Sequence, residues 1–181
     1  MSDSQPLTTR VVNQASLSKA ERSAIIALCT LAFEEYFGGL FDAFAGATHV
    51  LGYHGGALVS HAMWVTRWLA PGELDPLRTA YVEAVATHPH HQRRGFATRV
   101  MQALAAGIRS FELGALCPNQ DVIGLYRQLG WEAWQGPLFI RTERGLMPTA
   151  DEVVLILRLP QTPPLDLEAS LSAEWREGEL W

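Results

Sequence analysis

Apolar residues recur along this 181-residue chain with two periods, and the changes of period divide it into elements. Ser18-Lys19-Ala20-Glu21 is a capping box, in which the Ser and Glu side chains satisfy backbone N–H groups at a helix start. Behind it Ile25, Leu28, Cys29, Ala32 and Phe33 fall at helical spacing, predicting a helix to about Tyr36 that Gly38-Gly39 stops. A short segment to Phe44 follows. Strands are expected at Arg10–Gln14, Thr48–Tyr53 and Ala57–Leu69, the last two joined by a Gly55-Gly56 turn, and at Thr79–Ala86 after a Pro71–Pro76 loop. Phe96, Val100, Leu104 and Ile108 lie four apart and mark one buried helical stripe beginning near Gly95. Leu113–Leu116 reads as a strand and Asp121–Leu129 as a helix capped by Gly130. Trp131–Trp134 and Glu152–Leu159 read as the last strands, separated by a loop holding Gly136-Pro137 and Pro148. Pro160, Pro163 and Pro164 then break regular structure, and a tail runs out to Trp181. Residues 1–9 read as a disordered lead-in and 10–181 as one folded domain. Strands alternating with helices imply an α/β fold with a mixed central sheet flanked by helices.

Composition narrows the class. With 48% apolar and 18% charged residues the chain can bury a core, yet no stretch approaches the roughly 20 apolar residues of a membrane helix. No basic-then-apolar leader opens it, and Cys29 and Cys117 lie far apart in no C-x-x-C arrangement, so free thiols and a cytoplasmic location are expected. A net charge of −5 argues against a nucleic-acid surface. The charge is uneven: Asp166, Glu168, Glu174, Glu177 and Glu179 crowd the tail, while Arg93, Arg94 and Arg99 cluster mid-chain. One anion-seeking loop and one acidic end could hold an anionic cofactor and a cationic substrate; a merely solvated tail is the alternative.

The strongest chemical signal is Val82-Glu83-Ala84-Val85-Ala86-Thr87-His88-Pro89-His90-His91-Gln92-Arg93-Arg94-Gly95-Phe96-Ala97. A strand enters a loop that feeds a helix, and a helix N-terminus offers unpaired N–H groups and a positive dipole end to a pyrophosphate. Gly95 allows close backbone approach, Ala97 is nearly as small, and Arg93 and Arg94 can add charge-assisted contacts. His88, His90 and His91 have irregular spacing for a metal and read as exposed turn histidines. This segment resembles the coenzyme A-binding motif of the GCN5-related N-acetyltransferases, Gln/Arg-x-x-Gly-x-Gly/Ala. Leu125-Tyr126-Arg127-Gln128-Leu129-Gly130-Trp131 resembles their later Tyr-x-x-x-Gly-Phe segment. The resemblance implies that family's fold, with acetyl-coenzyme A as co-substrate held by Val85, Ala86, Thr87, Gln92, Arg93, Arg94, Gly95, Phe96 and Ala97, and no metal.

More narrowly, Ala80–Ala86, Leu113–Leu116, Leu125-Tyr126, Gly130-Trp131, Trp134, Gly136-Pro137 and the terminal Trp175–Trp181 resemble the aminoglycoside 2'-N-acetyltransferases, resistance enzymes that are often dimeric. That resemblance implies a cationic small-molecule acceptor, with kasugamycin as the substrate of a related branch. It implies Glu83 as general base through water and Tyr126 as acid. Glu35, Asp42, Ala84, Cys117, Glu152, Glu179 and the carboxylate of Trp181 would contact the acceptor. Glu35 and Asp42 are displaced by one or two positions from the family's acids, Cys117 replaces a Ser, and Ala84 stands where Gly is common. Read from the residues alone, Glu83 could instead pair with Arg78, and a backbone N–H near Val85 could serve an oxyanion. An acyl-coenzyme A sensor could dispense with Glu83 and Tyr126, and an acetyltransferase for protein amines would not need the acidic tail.

Overall fold

The computed structural model of the chain describes residues 6–149, 152–178 and 180–181. The chain divides into two compact units: residues up to Val65 with Val82–Gly107, and Thr66–Tyr81 with Ile108–Trp181. Two long strands, β3 (Ala57–Pro71) and β4 (Leu77–Thr87), contribute to both.

In the first unit, β1 (Thr8–Asn13) and the start of β3 pair antiparallel with β2 (Thr48–His54). β1 begins two residues ahead of the expected Arg10; of the expected disordered lead-in, residues 1–5 lie outside the described residues. Helix α1 (Lys19–Phe33) opens on the expected box: the Ser18 hydroxyl accepts from the Glu21 N–H at 3.2 Å, and the Glu21 carboxylate from the Ser18 N–H at 2.9 Å. Its Ile25, Leu28 and Cys29 are buried with Val12, Phe37, Phe41, Leu51, Met63 and Ala86. The helix stops three residues early because Glu34 takes a left-handed conformation (φ 58°). Gly38-Gly39, expected as its stop, instead opens α2 (Gly38–Ala43). Helix α3 (Phe96–Gly107) buries Phe96, Val100 and Leu104, and Ile108 just beyond it, as the four-residue period requires.

In the second unit eight strands lie in the order β6-β9-β5-β4-β3-β10-β7-β8. They are β5 (Leu113–Leu116), β6 (Glu132–Ala133), β7 (Leu138–Thr142), β8 (Gly145–Thr149), β9 (Leu155–Arg158) and β10 (Leu171–Glu174), with the shared β3 and β4. The β4–β5 ladder is parallel and pairs Thr79–Tyr81 with Leu113–Ala115; most other pairs are antiparallel, so the sheet is mixed. The helix expected at 121–129 is α4 (Ile123–Gln128), after a 3₁₀ turn.

Two expectations fail here. The Gly136–Pro148 loop is a hairpin, β7–β8, whose edge strand accommodates Pro148 because its outer N–H needs no ladder partner. The tail is not loose either. β10 inserts between β3, antiparallel, and β7, parallel. Ahead of it, Leu167 O accepts from the Gln135 and Gly136 N–H groups, and Ala169 O from Trp134 Nε1. A Cβ on Gly136 would lie 1.9 Å from Ala169 O, so only glycine admits that approach.

Candidate active site

The end of β4, the following turn and the start of α3, the stretch expected to hold the cofactor, lie together within the first unit. The His88 N–H donates to Val59 O at 2.9 Å, fixing where the strand ends, and His88 Nδ1 accepts from the His90 N–H at 3.2 Å. Ser60 Oγ lies 2.9 Å from Thr87 Oγ1 and donates to Ala86 O, so β3 braces this stretch. Arg93 (φ 59°) and Gly95 (φ 76°) then turn the chain into α3. The first N–H to reach back is Arg99, to Gly95 O at 3.1 Å, leaving Phe96, Ala97 and Thr98 without intrahelical acceptors. A Cβ on Gly95 would meet no protein atom within 4 Å. Glycine is required there by φ, and the space beside it is open to a ligand. Gln92 and Arg93 are exposed. Arg94 is bracketed by His54 Nε2 at 3.3 Å and His91 Nδ1 at 3.2 Å, and its guanidinium lies 5.0 Å from the Phe96 ring centre. The turn histidines therefore cap the turn and hold Arg94, a role for which His54, 40 residues away, gave no local signal. Among the described residues no group of three or more His, Cys, Asp or Glu could hold a metal ion. Three N–H groups without intrahelical acceptors, a positive-φ glycine with open space beside it, and Arg93 and Arg94 in the same turn fit a pyrophosphate.

Glu83 is half-buried, with Oε1 shielded from solvent. The next residue, Ala84, departs from extended geometry with φ 50°. Its carbonyl faces a buried pair of histidines that sequence reasoning missed: His61 Nδ1 is 2.9 Å from Ala84 O, and His61 Nε2 is 2.9 Å from His49 Nδ1. Both rings are fully buried, and Phe41 stacks on His49 at 5.5 Å. Burial pushes the His49 pKa down to about 4. Burial, with the neighbouring His49, takes His61 down to about 3 against the pull of the Ala84 carbonyl. Both are neutral rings. Beside them the buried Cys29 thiol, pushed up to about 12, stays protonated.

Also in the first unit, Glu35 is exposed on a groove of about 630 Å³ with Thr30, Leu31, Glu34, Tyr36 and Pro89. Asp42 is not on it; it pairs with Arg22 on the surface.

In the second unit Tyr126 is buried on α4, edge-on to Trp131 at 6.2 Å, and burial raises its phenol to about 12. The Cys117 thiol, just past β5, donates to Glu152 Oε2 at 3.3 Å, which brings those two expected residues together. Trp181 is only 5% exposed although it ends the chain, and its indole Nε1 donates to Thr149 Oγ1 at 2.8 Å. Behind it Arg67, 2% exposed, donates to Leu180 O and Glu174 O at 2.8 Å each and lies over the Tyr81 ring at 4.8 Å. Glu179 lies outside the described residues.

The acetyltransferase (GNAT) domain family matches residues 15–134. Over 180 residues the chain is 33% identical to an aminoglycoside 2'-N-acetyltransferase of Mycolicibacterium fortuitum, a match covering 96% of this chain and 92% of that protein. Among solved structures it superposes on the GNAT-family N-acetyltransferase YhbS of Escherichia coli, a complex with coenzyme A, with a TM-score of 0.64 at 11% identity over 98% of this chain and 94% of that one. It also matches Eis1 of Mycobacterium abscessus, with a TM-score of 0.59 and 20% identity over 73% of this chain, and spans about a third (33%) of that longer protein. At these identities the two structures speak for the fold alone.

Proposed function

Given that the chain belongs to the GNAT acetyltransferase family, we propose that it transfers the acetyl group of acetyl-coenzyme A to the 2'-amino group of an aminoglycoside. The observation that carries the acceptor is the near full-length similarity to a protein of that name. The seated Trp181 is consistent with it, since a buried indole bonded to Thr149 would hold a carboxylate at that residue in a defined place where a polycation could meet it.

Acetyl-coenzyme A, when bound, supplies an acetyl group activated as a thioester. On this reading the N–H groups of Phe96 and Ala97, the Gly95 turn, Gln92, Arg93 and Arg94 hold its pyrophosphate, and Val85, Ala86 and Thr87 line its pantetheine side. Glu83 takes a proton from the acceptor ammonium through water, because only the free amine has a lone pair to attack with. A carboxylate near its ordinary pKa of about 4.3 is a weak base for that step, so its rate contribution rests on position. The Val85 N–H stabilises negative charge growing on the thioester carbonyl oxygen. Tyr126 faces a mismatch. A phenol at about 12 giving its proton fully to a thiolate of pKa about 8.5 would be uphill by about 5 kcal/mol. Tyr126 therefore donates a hydrogen bond to the leaving sulfur, and the proton that sulfur finally carries is one released by the amine. The candidate acceptor contacts on this reading are Glu35 and Ala84 in the first unit and Cys117, Glu152 and the Trp181 carboxylate in the second, with Glu179 outside the described residues. Asp42 joins them only if its ion pair with Arg22 opens.

The test is thiol release from acetyl-coenzyme A with a panel of aminoglycosides, kasugamycin included, and assignment of the acetylated nitrogen by NMR. Acetylation at the 2'-amine is expected. Turnover confined to peptide amines, or to kasugamycin, would replace the acceptor.

A further inference from the structure

Ala84 is the residue of the candidate site that takes a positive φ inside a strand, and what holds it there bears on the chemistry. A residue with a Cβ at φ 50° inside a strand is strained, and such strain persists only where the surroundings over-determine it. His61 supplies the determination. A carbonyl oxygen only accepts, so the nitrogen 2.9 Å from Ala84 O must carry the proton, which fixes the His61 tautomer as Nδ1–H. Its Nε2 is then an acceptor, and the group 2.9 Å away, His49 Nδ1, must donate. The hydrogen bonds run one way, from His49 through His61 to Ala84. His49 Nε2 ends the series as a buried acceptor with no hydrogen-bond partner. Within a trans peptide the C=O and the following N–H point in opposite directions. By drawing the Ala84 carbonyl toward the core, His61 turns the Val85 N–H outward.

Building on the acetyl-transfer reading above, we infer that His61, oriented by His49, is a positioning residue that fixes the Ala84–Val85 peptide so that the Val85 N–H meets the thioester carbonyl of acetyl-coenzyme A. The neutrality of both rings supports this, because an imidazolium at His61 could no longer accept from His49. Without the His61 donor, Ala84 relaxes to extended geometry, the peptide rotates, and the N–H turns inward.

The deciding readout, the infrared band, needs no acceptor; only the kcat comparison does. Full-length protein is saturated with acetyl-coenzyme A carrying ¹³C at the thioester carbonyl, and the carbonyl stretch is read by isotope-edited infrared spectroscopy. In the wild type the band lies below its position in solution. His61→Leu binds acetyl-coenzyme A within about threefold of wild-type affinity, because the pyrophosphate cradle is untouched. Its band moves back toward the solution value, and kcat falls on the order of 10²-fold, as for loss of one oxyanion donor. His61→Asn, whose amide N–H can occupy the place of Nδ1–H, recovers most of the band shift, whereas His61→Gln does not. Adding Ala84→Gly to His61→Leu restores part of it, since glycine adopts positive φ unaided. An unshifted wild-type band, or a wild-type band in folded His61→Leu, overturns the inference. If His61→Leu does not fold, the Asn and Gln variants decide, and identical bands in those two overturn it. Failure to acetylate any aminoglycoside leaves this result standing and removes only the acceptor assignment.

Discussion

The two units hold their candidate residues with opposite kinds of buried group. In the first, two neutral imidazoles pass a single hydrogen-bond direction to the Ala84 carbonyl. In the second, one buried cation, Arg67, gathers the carbonyls of Glu174 and Leu180 and so fixes the last residues of the chain. Neutral rings suit a place where a peptide must be aimed and no stray charge should compete with growing negative charge on a substrate. A guanidinium with several donors suits a place where a chain end must be caught at several points. The consequences differ: the imidazole pair depends on pH and the guanidinium does not.

Removing the cation gives the largest expected effect. Arg67→Met keeps the volume but leaves two inward carbonyls without donors, at about 1–3 kcal/mol each, so unfolding free energy should fall by about 2–6 kcal/mol. Urea denaturation measures it; a loss under 1 kcal/mol would mean that the tail is held by Trp181 and β10 without Arg67. The next largest effect belongs to the first unit and is kinetic. Glu83→Gln should leave acetyl-coenzyme A affinity unchanged and lower kcat by about 10²–10⁴-fold, toward the low end if water relays the proton. Full activity at neutral pH in the folded variant removes Glu83 from the mechanism.

These two predictions also separate what a linear reading could see from what it could not. The turn from Gln92 to Ala97 was legible because its chemistry is local: a glycine, two arginines and a helix start within six residues. Neither buried anchor was. His61 acts 23 residues away and Arg67 acts 107 and 113 residues away, and no periodicity marks either. Long elements were legible and short ones were not. The α3 stripe and β3 stood out, but β10 has only Leu171-Ser172-Ala173-Glu174 to announce it, behind three prolines. Pro148 suggested a loop and sits in an edge strand, where its missing N–H is harmless. Gly38-Gly39 suggested a stop, yet Glu34 ends α1 in a left-handed conformation that sequence gives little reason to expect of glutamate.

The difference in pH response follows from the histidines. Their folded pKa values, about 4 for His49 and about 3 for His61, lie below the ordinary 6.5. The unfolded chain therefore takes up protons below pH 6.5 that the folded one refuses, and stability present above that pH is lost as pH falls toward 4. Each ring's contribution rises from about half of 1.4 kcal/mol per pH unit at pH 6.5 toward the full value near pH 5. Unfolding free energies from denaturation at pH 6.5, 5.8 and 5 in the wild type and in His61→Asn should show a slope shallower by about 1 kcal/mol per pH unit in the variant. Equal slopes would mean that His61 is not the buried neutral group described.

The smallest expected effect tests whether the second unit's grip has a functional object. Arg67 donates to Leu180 O and the Trp181 indole donates to Thr149 Oγ1, so a carboxylate at Trp181, as the acetyl-transfer reading proposes, would be confined. A confined anion beside a polycationic acceptor forms charge-assisted hydrogen bonds of roughly 1.5–3 kcal/mol each, about tenfold or more in affinity. Extending the chain beyond Trp181 by a few glycine and serine residues converts that carboxylate into a neutral amide. The indole, its bond to Thr149 and everything in the first unit are left in place. Acceptor KM should rise about tenfold while acetyl-coenzyme A affinity and kcat hold, the reverse of the Glu83→Gln signature. An amidated C-terminus made by peptide ligation, which removes the charge without adding bulk, should match the extension. If the extended protein loses acceptor affinity and the amidated one does not, crowding is responsible, and the terminal charge plays no part in binding.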